Sequence, residues 1–155
     1  MGFPKTAPMR YLLLVTGAWL VVFLLTRSVL LVTHLDEVSG NLLPVFGVGL
    51  LYDLGFLAYA ALPLGLYLLL CPPALWRRRG HRWFLQAVLT VSLFAMLFTS
   101  VAEWLFWDEF GVRFNFIAVD YLVYSEEVIH NILESYPVFR LLGAIAVLAI
   151  GLSIA

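Results

Sequence analysis

Long apolar runs alternate with short polar segments along this chain. A helix of about 20 residues crosses the ~30 Å hydrocarbon layer of a bilayer. The runs over residues 11–33, 43–70 and 84–106 are long enough, and we predict a membrane-spanning helix in each. The run over residues 138–155 predicts a fourth. Because that run has no closing aromatic or basic anchor, we expect the chain to be cut inside or just after this helix.

The connector between the third and fourth runs, residues 107–137, has another pattern. Its apolar residues recur at steps of three and four, which predicts one face of an amphipathic helix at the bilayer boundary; they are Ile117, Tyr121, Tyr124, Val128, Ile132 and Tyr136. Aromatic residues before it are typical of head-group depth. Two interpretations stay open: an interfacial helix that connects two spans, or a surface that forms part of a lipid or partner site.

Composition supports the same class of protein. With 63% hydrophobic and 12% charged residues, a chain of 155 residues has too few polar side chains to cover the surface of a water-soluble domain. We therefore predict an all-α fold: a polytopic transmembrane helix bundle of one domain, residues 1–155, with an interfacial amphipathic helix. The net charge of −1 gives no basic surface for nucleic acid. The single cysteine, Cys71, excludes an intrachain disulfide, and we interpret it as a small apolar residue at a helix end. The three histidines have no metal-site spacing.

The charges are segregated along the chain, which predicts its orientation. Lys5, Arg10 and the basic segment 76–83 flank the first three spans on one side, and these inner segments contain no acidic residue. The opposite segments, 35–41 and 107–137, are acidic. Because basic loops stay in the cytoplasm, we predict a cytoplasmic N-terminus and an extracytoplasmic connector, residues 107–137.

Three charges lie inside the predicted spans: Arg27, Asp53 and Glu103. Charges at such depth cost several kcal/mol unless they are paired or hydrated, so each is a candidate functional residue. At 1.5 Å per residue, all three fall in the outer half of the bilayer, at levels that an arginine side chain can bridge. Arg27 can therefore pair with Asp53, with Glu103 or with both. Such a pair either fixes helix packing or shares Arg27 with an anionic lipid phosphate.

The run EWLFWDEFGVRFNFIAVDYLVYSEEVIHNILESYP resembles the segment after the third membrane helix of bacterial lipoteichoic acid synthase-type proteins. These are membrane-anchored phosphoglycerol transferases of the sulfatase/alkaline phosphatase superfamily. The upstream run GLLYDLGFLAYAALPLGLYLLL resembles the second helix of that family, and Arg27 fits its first helix. The resemblance extends from about Arg10 to Ala155.

The resemblance implies a domain of about five helices followed by an extracytoplasmic catalytic domain that is absent from this chain. That domain would hold a threonine nucleophile and a divalent metal, so no catalytic residue and no cofactor are assigned here. The positions that the resemblance makes candidates for framework or lipid contacts are Arg27, Asp53, Glu103, Asp108, Glu109, Arg113, Asn115 and Asp120.

Two hypotheses for function follow. In the first, the chain is the membrane-anchoring and lipid-presenting module of a phosphoglycerol transferase that acts on phosphatidylglycerol at the outer face of the membrane. Its partners are an anionic phospholipid and the missing catalytic domain, which we expect to contact Asp120, Glu126 and Glu127, while Arg113 and Asn115 hold a head group. In the second, it is a complete small membrane protein that serves as an assembly or transport partner.

Overall fold

The computed structural model describes residues 6–35, 42–112 and 125–154, with the backbone alone for residues 125–129. These residues form six helices, and no strand occurs among them. The predicted all-α class is therefore confirmed. The helices are α1 (Ala7–Thr33), α2 (Leu42–Leu70), α3 (Pro73–Trp76), α4 (Arg79–Phe110), α5 (Ser125–Ser135) and α6 (Val138–Ile154).

The first three predicted spans correspond to α1, α2 and α4. All three are long and apolar enough to cross a membrane. Helix α4 extends beyond the predicted span 84–106 at both ends, because arginine is a good helix former and a helix need not stop where the hydrocarbon stops. Helix α2 ends at Leu70, ahead of the Pro72-Pro73 pair, and Pro73 opens the short helix α3.

Most of the surface of these three helices is not covered by the rest of the chain. Large apolar side chains such as Leu43, Leu51 and Tyr59 are well exposed on α2. An apolar surface of this extent is compatible with lipid and not with water, since soluble proteins rarely leave large contiguous apolar patches open. The chain thus has the properties of a multi-pass membrane helix bundle.

The structure describes part of the connector. Helix α4 ends at Phe110, and Gly111 follows with φ of 66°, a left-handed conformation that favours glycine after a helix. The predicted amphipathic helix is present over Ser125–Ser135, whereas residues 113–124 lie outside the described part. The helix ends at Ser135, and the Tyr136 N–H still donates a helical hydrogen bond of 2.9 Å to the Ile132 carbonyl oxygen before Pro137.

The chain divides into two compact units, Met1–Leu93 and Phe94–Ala155, and the boundary falls inside α4. In the first unit, α1 packs against α2. The Tyr11 hydroxyl donates a hydrogen bond of 2.6 Å to the Leu85 carbonyl oxygen, which ties the beginning of α1 to the beginning of α4. In the second unit, α6 has a buried face that includes Ile145, Ala149 and Ser153.

The Tyr11–Leu85 contact bears on the orientation of the spans. Arg10 precedes Tyr11, and Arg82 lies one helical turn before Leu85, so these two arginines lie at one end of the first unit. The positive-inside argument requires that arrangement. Which end faces the cytoplasm stays a prediction.

The orientation can be tested by thiol labelling. Single cysteines at Gly80 and Ser125, each in a Cys71→Ser background, are expected to react differently with an impermeant maleimide on intact cells. A side chain fits at Gly80, where an added Cβ meets nothing within 4 Å. We expect the thiol at position 125 to be labelled and the thiol at position 80 to be protected until the membrane is permeabilised. The reverse result would invert the orientation.

Candidate functional site

Two of the charges inside the spans, Arg27 on α1 and Asp53 on α2, form a buried ion pair in the first unit. Arg27 Nη2 donates a hydrogen bond of 3.0 Å to Asp53 Oδ1 and lies 2.9 Å from Oδ2. The two residues are 6% and 8% exposed. The prediction that Arg27 can pair with Asp53 is confirmed. The pair joins the later part of α1 to the earlier part of α2, as expected for neighbouring antiparallel helices.

A glycine makes room for this pair. A Cβ atom added to Gly49 would lie 2.5 Å from Arg27 Nη2 and 2.6 Å from Nε, and it would also collide with Cζ. Gly49 precedes Asp53 by four residues, so the two share one face of α2. The guanidinium therefore lies across a surface that glycine leaves open. The sequence signal was the Gly49–Asp53 spacing opposite an arginine, which the sequence analysis did not identify.

An aromatic cluster follows the pair along the same helix faces. Trp19, Phe23 and Arg27 are spaced by four residues on α1. The Phe56 ring packs edge-on against Phe23 at 5.5 Å and is tilted against Trp19 at 6.1 Å. Such ring pairs add about 0.5–1.5 kcal/mol beyond their burial. They stabilise the contact between α1 and α2 one to two turns from Arg27.

The geometry of the pair leaves two buried atoms, Arg27 Nη1 and Asp53 Oδ2, without a hydrogen bond among the described residues, although Oδ2 lies 2.9 Å from Nη2. Both short contacts involve Nη2, whereas a two-pronged arginine–carboxylate pair uses two nitrogens. Arg27 Nη1 is buried and has no hydrogen-bond partner among the described residues. A buried donor without a partner costs about 1–3 kcal/mol. The site can therefore accept one further anionic or polar group at Nη1.

The third charge, Glu103, is buried on α4 in the second unit. Asp108 and Glu109 lie in the last turn of the same helix. Glu103 makes a polar or electrostatic contact with another residue of the chain. Arg27 and Glu103 belong to different units, so a pair between them stays a prediction.

The remaining predicted site residues lie on the connector. Arg113, Asn115 and Asp120 fall outside the described residues. Glu126 and Glu127 lie on α5, where the backbone alone is described. Head-group binding by Arg113 and Asn115 stays a prediction, as does contact of the three acidic residues with a catalytic domain.

The structure also brings together two residues that the sequence analysis treated separately. Cys71 follows the last residue of α2, and its Sγ lies 3.5 Å from Nε2 of His81 on α4. His81 is 5% exposed, although the residues on either side of it, Gly80 and Arg82, are exposed. The α3 turn folds the chain back and makes this contact, which the separation of ten residues did not reveal.

Within the described residues, no group of three or more His, Cys, Asp or Glu side chains is placed to hold a metal ion. Comparison of the chain with protein-family models, with curated proteins and with solved structures finds no match.

Proposed function

We propose that this chain is the membrane-anchoring and lipid-presenting module of a head-group transferase, and that Arg27 receives the anionic phosphate of the donor lipid. One observation carries the proposal: the Nη1 atom of the buried Arg27 has no hydrogen-bond partner among the described residues, while Nη2 is bound by Asp53. Arg27 also lies at a depth that we predict to be in the outer leaflet. Phosphatidylglycerol is the donor that the sequence resemblance implies.

The pair suits a lipid phosphate for an electrostatic reason. Asp53 compensates the charge of Arg27, so the guanidinium can reside at a depth where an isolated charge costs several kcal/mol. Arg27 lies six residues before the end of α1, which corresponds to roughly 9 Å along the helix axis. A planar guanidinium also offers a phosphate donors in a fixed geometry. Because Nη1 is buried, binding includes a rearrangement of the side chains that cover it.

The rest of the module belongs to the same proposal. The connector lies at the outer boundary of the bacterial cytoplasmic membrane, where Arg113 and Asn115 add contacts to the head group. In this proposal Asp120, Glu126 and Glu127 contact a partner catalytic domain, which would supply the divalent metal and the nucleophile. The acidic residues suit a protein partner, since they repel an anionic lipid.

A second candidate function is favoured by the Gly49 contact. The guanidinium fits closely against α2, as expected if the ion pair serves to fix the packing of α1 against α2. In that case the chain is a small membrane protein whose Arg27–Asp53 pair holds α1 against α2 and contacts no lipid.

Lipid binding distinguishes the two functions. The purified chain, in nanodiscs that contain phosphatidylglycerol and phosphatidylcholine, is expected to retain phosphatidylglycerol preferentially, measured by native mass spectrometry after detergent release. The variant Arg27→Gln/Asp53→Asn keeps side chains of similar shape without an unpaired buried charge. We expect it to lose the preference about tenfold, the equivalent of one charge-assisted contact of ~1.4 kcal/mol.

The matched control is Arg140→Gln, which removes an exposed arginine near the beginning of α6. It should leave the lipid preference within about twofold of that of the unchanged chain, because an exposed charge contributes little. If the double variant retains phosphatidylglycerol as well as the unchanged chain does, Arg27 is not the lipid site. The ion pair would then serve to fix the packing of α1 against α2.

A further inference from the structure

At the end of the first unit opposite to the Arg27–Asp53 pair, the Cys71 thiol is placed beside a buried imidazole. Cys71 is partly exposed, and its Sγ lies 3.5 Å from His81 Nε2. The Tyr67 side chain, one turn earlier on α2, also interacts with this thiol. His81 Nδ1 is buried without a hydrogen-bond partner among the described residues. The imidazole thus has its one described polar contact at the sulfur.

Aromatic rings fix the orientation of His81. Trp76 packs edge-on against it at 5.0 Å, and the rings of Tyr67 and Phe84 are stacked with it at 6.0 and 6.5 Å. A ring held on several sides cannot swing away from the thiol without losing these contacts. Imidazole next to a thiol is the arrangement in which a base activates a sulfur nucleophile.

The surroundings select the class of electrophile. Cys71 follows directly on the apolar helix α2, and the adjacent Leu70 is 78% exposed, so an attached hydrocarbon chain can lie in the bilayer. Four exposed arginines follow within eleven residues of the thiol and offer positive charge to phosphate groups; they are Arg77, Arg78, Arg79 and Arg82. An apolar chain on a phosphorylated carrier matches both features.

We propose that Cys71 is a site of S-acylation by a long-chain acyl thioester whose carrier bears phosphates. The Cys71 thiol gives its proton to His81 Nε2, and the sulfur attacks the thioester carbonyl carbon. The new bond joins that carbon to Sγ, the bond from the carbon to the carrier sulfur breaks, and the carrier thiolate takes the proton from His81. The exchange of one thioester for another needs no oxidant or reductant. The acyl chain anchors the turn between α2 and α4 at the bilayer surface.

The test uses the purified chain in phosphatidylcholine vesicles with palmitoyl-coenzyme A as the probe. Acylation blocks labelling of the thiol by maleimide, and hydroxylamine, which cleaves thioesters, should restore the labelling. An increase in the intact mass of the chain measures the same reaction. We expect one acyl group on the chain and none on Cys71→Ser. Since general bases contribute ~10²-fold or more in enzymes, His81→Gln should slow the initial rate at least about tenfold.

Two further variants separate the site from simple proximity to the membrane. Leu70→Cys/Cys71→Ser moves the thiol by one residue to the exposed apolar surface and leaves His81 unchanged, so it should react at least about tenfold more slowly than the native thiol. His81→Phe keeps ring packing without a base and should be as slow as His81→Gln. Equal rates for the thiols at positions 70 and 71, or full reactivity in His81→Phe, would overturn the proposal. The outcome is independent of lipid binding at Arg27.

Discussion

Replacing Arg27 alone with leucine is expected to destabilise the fold by about 3–5 kcal/mol, because it leaves the Asp53 carboxylate buried without its partner. Asp53→Leu should have a similar effect, since the guanidinium is as deeply buried. Unfolding of the purified chain in mixed micelles, titrated with a denaturing detergent, measures the free-energy difference. Low yields of monodisperse protein should accompany both single variants.

The double variant Arg27→Leu/Asp53→Leu should recover most of this loss. Replacing both members of a buried ion pair with apolar residues is often neutral or stabilising, whereas removing one is costly. We expect a coupling energy of at least about 2 kcal/mol, at the upper part of the range for residues in contact. Arg140→Leu is the control on an exposed arginine and should change stability by less than about 0.5 kcal/mol. Additive losses in the double variant would show that the ion pair does not stabilise the fold.

Gly49→Ala is the second change with a large expected effect. The new methyl group would occupy the position of the Arg27 guanidinium, which must shift, and we expect the shift to break its 3.0 Å hydrogen bond to Asp53. The loss should approach that of removing one partner, about 3 kcal/mol. The same unfolding titration measures it, and the distance between α1 and α2 can be followed with spin labels.

The neighbouring glycines provide matched controls. A Cβ added at Gly47 or at Gly55 meets nothing within 4 Å. Alanine is favoured over glycine inside a helix by up to about 1 kcal/mol, so Gly47→Ala and Gly55→Ala should be neutral or stabilising. In the Arg27→Leu/Asp53→Leu background, Gly49→Ala should lose most of its cost. Equal effects at positions 47 and 49 would contradict the close contact between Gly49 and the arginine.

The spans were predictable because they depend on local properties of the chain. Run length against bilayer thickness located α1, α2 and α4, and Pro72-Pro73 marked the end of α2. The bounds of α4 were less accurate, since a helix continues past the hydrocarbon wherever its residues favour helix. The end of α5 was predictable in the same way, since Pro137 disfavours helical conformation in the residue before it, and Tyr136 makes the last helical hydrogen bond, to Ile132.

The Arg27–Asp53 pair was predictable as a possibility. The cost of an isolated charge in a membrane made a partner necessary, and depth along each helix restricted the choice to two carboxylates. Depth cannot tell which faces of two helices meet. The rotation of α1 and α2 about their axes selects Asp53 and brings Gly49 under the guanidinium.

The amino-acid sequence by itself therefore determined the membrane class of this protein, its helical spans and the charges that need partners, because hydrophobic length and charge depth are properties of single segments. Only the tertiary structure decided that Arg27 keeps Nη1 free of partners among the described residues, that Gly49 makes room for it, and that His81 faces Cys71. Those features depend on how the side chains of two helices point toward each other. The packing of the helices fixes these directions, and residue spacing within one helix does not reveal them.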